Sequence, residues 1–341
     1  KLRIVTLVLF ILLSHPGFAR QEVPVSDSHF YNSVSRWFDA WELISKDVYH
    51  LDRFTPTEFV FFDEQYVYST SPVSVPEGEV VKGPELLHRR FVWRKALHKD
   101  SITLPDKSRL PVGLMSFASG LPGAEGKAFF VMPLPRFWHT AGVTSRELGT
   151  ENLITGVFLH EFSHSQQVQN FGKRITELER KDTFGKEFSD DIVQDLFKND
   201  SAYTSLYNRE VTAFYVAVPE RDKAAKRSGI KTGLDLLQTR HHRFFTNRYE
   251  ALKDIDALFL TMEGLGQYTM YRWLIHKKGA ALPAPVAIQG VRRGKNNWSQ
   301  DEGFALFLLL EQFSDADRWA GPLFGDKTES VLAILEQQLG R

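Results

Sequence analysis

The sequence contains no cysteine. That absence excludes disulfides, a thiolate zinc site, a catalytic thiol and a lipid-bearing cysteine. A chain of 341 residues is long enough to bury a core without disulfide staples. Net charge is missing as well. The 42 Lys and Arg residues balance 42 Asp and Glu, so no global field draws the chain toward nucleic acid or an anionic membrane. We find no internal repeat and no low-complexity stretch. Aromatic residues are plentiful, with Phe alone at 27, and packing of an aromatic core is their simplest use.

The first residues carry an address-like pattern. Lys1 and Arg3 precede an apolar run over 4–13, Ser14-His15-Pro16 breaks it, and Gly17-Phe18-Ala19 follows. Small residues thus stand at the −3 and −1 positions of a cut after Ala19. An apolar run of about ten residues is too short to span a bilayer comfortably. The expectation is a signal peptide over 1–19. The mature chain would then be exported to a periplasm, cell surface or extracellular space, with no transmembrane span.

Residues 27–45 read as a helix with Phe30, Val34, Trp37, Phe38 and Trp41 on its apolar side. From Phe54 to about Pro135, short β-rich runs such as 58–62 and 127–132 alternate with Pro and Gly. Beyond Thr150 the pattern is mainly helical, with segments near 153–171, 190–218, 254–276, 304–313 and 329–339. The charged runs at 173–182 and 221–231 read as solvated helix faces and connecting loops. The fold class expected is α+β, a small mixed sheet followed by a mainly helical part. The parts are an N-terminal helix and β-rich region over 20–149, a helical region over 150–289, and C-terminal helices over 290–341. Together they are expected to form one compact unit.

The informative segment is His160-Glu161-Phe162-Ser163-His164. Thr150 is placed to cap its helix and Gly172 to end it. Histidines four apart project from one helical face, so both imidazoles can bind a single zinc ion at about 2.0–2.1 Å. Glu161, beside the first histidine, is positioned to take a proton from zinc-bound water rather than to ligate. A catalytic site needs a third protein ligand and one position left for water. A metzincin would carry Gly at 167 and His at 170; here Gln167 and Asn170 stand there, which removes that branch. Three glutamates remain. Glu263 lies in a strong helical pattern beside Gly264 and Gly266, Glu210 lies in the helix-like run 207–214, and Glu302 opens Glu-Gly-Phe-Ala.

His160-Glu161-Phe162-Ser163-His164 together with Glu263-Gly264-Leu265-Gly266-Gln267-Tyr268 resembles the gluzincin pattern of aminopeptidase-N-like zinc metallopeptidases. The resemblance implies one zinc ion held by His160, His164 and Glu263, with Glu161 as general base. It implies a zincin-like fold too, in which the motif helix lies under a sheet whose edge strand receives a peptide. Residues 126–133 are the strand before the motif helix, either that edge or an ordinary core strand. The likeness covers two helices, and the 98 residues from 165 to 262 exceed the family's usual interval. The Gly-x-Met-x-Asn segment that binds a substrate amine in that family is missing, so the likeness does not extend to specificity.

The activity expected is hydrolysis of peptide or protein substrates, with no role for nucleic acid. A tetrahedral oxyanion needs a donor besides the metal. Tyr268, Tyr271, His139, His241 and His242 are the residues considered, and none is singled out. Whether the Arg292-Arg293 loop reaches substrate is left open. Two other readings remain: a zinc-binding, peptidase-like protein without proteolytic activity, and a zinc amidase acting on a non-peptide cell-wall substrate.

Overall fold

Residues 27–51, 54–181, 184, 188–294 and 296–340 are described by a computed structural model. The expected signal peptide over 1–19 lies outside the described residues, as does Asp182 at the end of one charged run.

Helix α1 (Asp27–Asp47) leads into eight strands: β1 (Thr57–Phe62), β2 (Tyr66–Ser69), β3 (Glu79–Val81), β4 (Trp93–Leu97), β5 (Ser101–Thr103), β6 (Arg109–Pro111), β7 (Phe117–Gly120) and β8 (Ala128–Pro133). Six of them form a mixed sheet in the order β3-β4-β2-β1-β8-β7, and β5 pairs with β6. The β1–β8 pairing is parallel and the others are antiparallel. Period-two alternation gives the central strands two apolar faces. Phe59, Phe61, Tyr68, Phe130 and Met132 join the main core, while Val60, Phe62, Val67, Phe129 and Val131 join a smaller one with Ile102 and Leu104.

That two-sided burial decides the placement of the strand expected over 126–133. Every residue of β8 is buried, and β8 lies between β1 and β7. It is a core strand, as its uninterrupted Ala-Phe-Phe-Val-Met run requires, and β7 takes the edge.

The remaining chain is helical: α2 (Pro135–Thr140), α3 (Thr150–Gln166), α4 (Lys173–Lys181), α5 (Ile192–Phe197), α6 (Ser201–Ala217), α7 (Lys223–Phe244), α8 (Leu252–Ile275), α9 (Ala284–Val291), α10 (Trp298–Leu310), α11 (Ala316–Leu323) and α12 (Val331–Leu339). The architecture is α+β. Among the described residues, no helix is long and apolar enough to cross a membrane.

Several boundaries differ from the sequence reading. Gly149, not Thr150, is the N-cap of α3, with no side-chain cap bond. Gly172 does not end the helical path. After α3 the chain makes a π-helical turn over Val168–Gly172 and continues directly into α4. The segment 190–218 is two helices, because Asp200 caps α6 by accepting from the Ala202 and Tyr203 amides.

Phe158 and Phe162 are four apart and stack with ring centroids 5.3 Å apart. Phe158 stacks on Trp37 and Phe162 packs edge-on against Trp41, so α1 grips this face of α3, with β8 alongside through Phe130. His160 and His164 are offset from these by two positions, about 200° around the helix, and turn to the opposite face. That face meets α8.

Candidate metal centre

Two glycines set the distance between α3 and α8. A Cβ at Gly156 would stand 2.6 Å from Met270 Cε, and one at Gly266 would stand 2.7 Å from His160 Nδ1. Without those side chains, the His160 ring lies against the α8 backbone. A second close approach joins α8 to α10. A Cβ at Gly264 would fall 2.4 Å from the carbonyl carbon of Gly303, and one at Gly303 would fall 2.2 Å from the Leu260 oxygen. Three helices therefore converge around Glu263.

Here His160 Nε2 and His164 Nε2 stand 3.1 Å apart with their rings perpendicular. Glu263 Oε2 lies 3.1 Å from His160 Nε2, and Glu263 Oε1 lies 3.3 Å from His164 Nε2. All three side chains are buried, Glu263 completely. Ligand atoms about 2.0–2.2 Å from a tetrahedral zinc stand roughly 3.3–3.5 Å apart, so the triangle fits one face of such a site with slight expansion. His164 Nδ1 faces Gln167 Oε1 at 3.3 Å. A proton on Nδ1 leaves the Nε2 lone pair turned inward, the tautomer a ligand needs.

His160, Glu161 and His164 form a buried group that could hold a metal ion. Two carboxylates thus compete for the third position, and their contacts separate them. Glu263 touches both imidazoles. Neither oxygen of Glu161 has a hydrogen-bond partner, although the residue is 1% exposed. A buried carboxylate left unpaired is costly unless it acts on something that arrives.

The electrostatics divide the same four groups. Burial pulls His160 down to about 4, reinforced by His164 and Arg293 and opposed by Glu263. His164 is also disfavoured as a cation by burial, but the Glu263 carboxylate together with Gln167 and Asp190 outweighs this and raises it. Glu263 is raised by burial and more strongly lowered by the two histidines, so it stays ionised. Glu161 is pushed well up, by burial first and then by the Glu263 charge, with Arg293 opposing.

Glu210 and Glu302 are not at this site. Both are buried against Arg240, which donates to Glu210 from Nε at 2.7 Å and Nη2 at 2.7 Å, and to Glu302 Oε2 at 3.2 Å. Asp256 completes the cluster at 3.1 Å, and it also receives His241 Nε2 at 2.7 Å. Asn170, where a metzincin would place a ligand, donates to the Leu323 and Lys327 carbonyls. The residues considered as oxyanion donors are held elsewhere too. Tyr268 donates to Glu311 at 2.7 Å, His139 pairs with Glu151 near the surface, Tyr271 packs on Phe304, and His242 is exposed.

Residues the sequence reading did not place stand at the site instead. Gln300 donates to Glu263 Oε2 at 3.2 Å, accepts from Gln267 at 2.7 Å, and accepts from Arg293 Nε at 3.2 Å. Asp301 fixes the Arg293 backbone amide at 3.0 Å. Arg293 is half-buried, and its terminal nitrogens have no hydrogen-bond partner among the described residues. No spacing rule points to Arg293 or Gln300, because Gln300 stands in the first turn of α10 and Arg293 follows α9, both distant in sequence from Glu263 on α8.

No protein-family model matches this chain, and neither the curated proteins nor the solved structures compared with it yield a match.

Proposed function

We propose that the chain is a zinc-dependent hydrolase with a zincin-like arrangement, acting on peptides. The observation that carries the reading is the convergence of two imidazole nitrogens and the Glu263 carboxylate within 3.1–3.3 Å, beside a buried Glu161 carboxylate with no partner. His160, His164 and Glu263 would hold the ion, and the fourth position would face Glu161. Zinc bound there would act as a Lewis acid, polarising a carbonyl oxygen and acidifying a water molecule.

Glu161 supplies the proton traffic. Its carboxylate accepts a proton from the attacking water and returns it to the departing nitrogen. Burial and Glu263 raise its pKa, and positive charge beside it brings it back toward the basic form. Arg293 is the cationic group at hand, and its free terminal nitrogens are suited to the oxygen of a carbonyl under attack. Gln300 holds both Arg293 and Glu263, tying the donor to the ligand set. The edge strand β7 is the one next to β8 that would offer its backbone to an extended substrate.

Metal analysis of the purified chain, with peptide and muropeptide pools, tests the reading. The expected result is about one zinc per chain and cleavage of peptides. Glu161→Gln is expected to retain zinc and lose on the order of 10²–10⁴-fold in rate. A Glu161→Gln protein that cleaves at the wild-type rate overturns it. Cleavage confined to muropeptides would replace the peptide assignment with the cell-wall one.

A further inference from the structure

A small cavity lies beside Arg240, lined by Asp190, Asp191, Ser299 and Glu302 among others, between α6, α8 and α10 and the start of α5. Its chemistry is lopsided. Glu302 and Asp256 at its wall are already engaged by Arg240. Asp190 and Asp191 add two further carboxylates, and among the described residues the cations acting on them are only His164 of the histidine centre and the exposed Lys198. Asp190 is 4% exposed and its Oδ2 has no hydrogen-bond partner; Ser299 is 6% exposed and its Oγ has none either. Asp191 Oδ1 is likewise unpartnered, while its Oδ2 accepts from Asn297 at 3.2 Å. Two carboxylate oxygens and a hydroxyl thus line one small space with their hydrogen-bonding capacity unspent.

We infer that this cavity is a second cation site, distinct from the histidine centre, for a hard divalent ion of the calcium or magnesium kind. All the unsatisfied atoms are oxygens, the donor set such ions prefer over zinc. The space admits roughly one water-sized particle, which favours a bare ion over an organic cation. The carboxylates of buried Asp190 and half-buried Asp191, beside three more at Arg240, form a negative surplus that a divalent charge removes. The half-buried Asp191 and Gln194 mark the side open to solvent and to further water ligands. The ion would tie α5 to α10, and so hold Ser299 next to Gln300, which contacts Glu263.

The test begins with His160→Ala protein, stripped with EDTA and dialysed, so that the histidine centre lacks one of its three ligands. Thermal unfolding is followed with CaCl2 and, separately, MgCl2, each against NaCl of equal ionic strength. The expected result is a rise in Tm on the order of 3–10 °C with at least one divalent salt. Asp190→Asn and Ser299→Ala in the same background should reduce that rise to less than half. Ser299→Ala removes a single unpartnered hydroxyl, so it stays informative if Asp190→Asn fails to fold. Equilibrium dialysis of the wild type should also find about one such ion per chain in addition to zinc. No rise with either salt, or a rise that both substitutions leave intact, overturns the site. The zinc reading is unaffected by either outcome.

Discussion

Glu263 Oε2 lies 3.1 Å from His160 Nε2, across 103 positions of sequence, whereas Glu210 and Glu302 are both bound to Arg240. These contacts give three glutamates, each a conceivable ligand by sequence, different consequences on substitution. Glu263→Gln should lose more zinc affinity than the roughly 10–100-fold that follows loss of an outer-shell partner. Glu210→Gln and Glu302→Gln should keep zinc. Glu210→Gln should be destabilised by about 3–5 kcal/mol, because it leaves part of a buried guanidinium unpaired. Glu302→Gln should be milder, since burial and the Glu210 charge already raise its carboxyl well above the usual range. Zinc titration and thermal unfolding of the three variants together separate ligand from structural partner.

Gly266 concerns space rather than charge. A Cβ there would come within 2.7 Å of His160 Nδ1, so the ring must tilt away from α8. Gly266→Ala is expected to weaken zinc binding while costing about 1–3 kcal/mol in stability, the usual range for an overpacked core. Gly264→Ala meets backbone instead, at 2.4 Å from the Gly303 carbonyl carbon, and should be the more destabilising of the two. Zinc affinity reduced by Gly266→Ala, measured alongside unfolding of both variants, checks the ordering.

The helix with the candidate metal group was legible because its signal is local: two histidines at helical spacing declare a shared face without reference to the rest of the chain. The α+β class was legible for the same reason, since strand runs and helical periods are read window by window. The Arg293 and Gln300 contacts were not. Gln300, in the first turn of α10, donates to Glu263 and accepts from Arg293, and no periodicity ties either residue to α8. The role of Glu302 was hidden too, because its partner Arg240 lies 62 positions away on another helix. The edge strand was half legible: the apolar run Phe129-Phe130-Val131-Met132 already required burial on both faces, which an edge strand does not provide.

Arg293 is therefore the residue whose effect on rate is most informative. Its terminal nitrogens have no partner among the described residues, and its charge lowers the Glu161 carboxyl. Arg293→Ala should cut kcat by on the order of 10²–10³ with zinc retained, as loss of an oxyanion donor does elsewhere. Arg293→Lys should restore part of the rate, since the charge survives and the fork geometry does not. A change confined to KM would mean that Arg293 binds substrate without serving the transition state.

Proton release on zinc binding tests the electrostatics of the ligand set directly. Ligands must be deprotonated to bind, and the three differ in readiness. Glu263 is ionised throughout, being lowered by the histidines beyond the effect of its burial. His160, pulled down to about 4 by burial, is neutral at any pH above that. His164 is raised, since Glu263 with Gln167 and Asp190 outweighs its burial, and it holds the proton that zinc must displace. Before metal binds, a raised histidine contributes stability that is fully present below its unfolded value of about 6.5 and is lost as pH rises through the folded value. Zinc competes with that same proton. Glu161 and Asp190, both held in the acid form by burial and by Glu263, are further sources of protons, so the measurement belongs in protein carrying Glu161→Gln and Asp190→Asn. There, calorimetry in buffers of different ionisation enthalpy should find about one proton released per zinc between pH 5 and the raised His164 value, and none well above it. Release of about two protons across that range would mean that His160 also enters binding as a cation, contrary to its burial against Gly266.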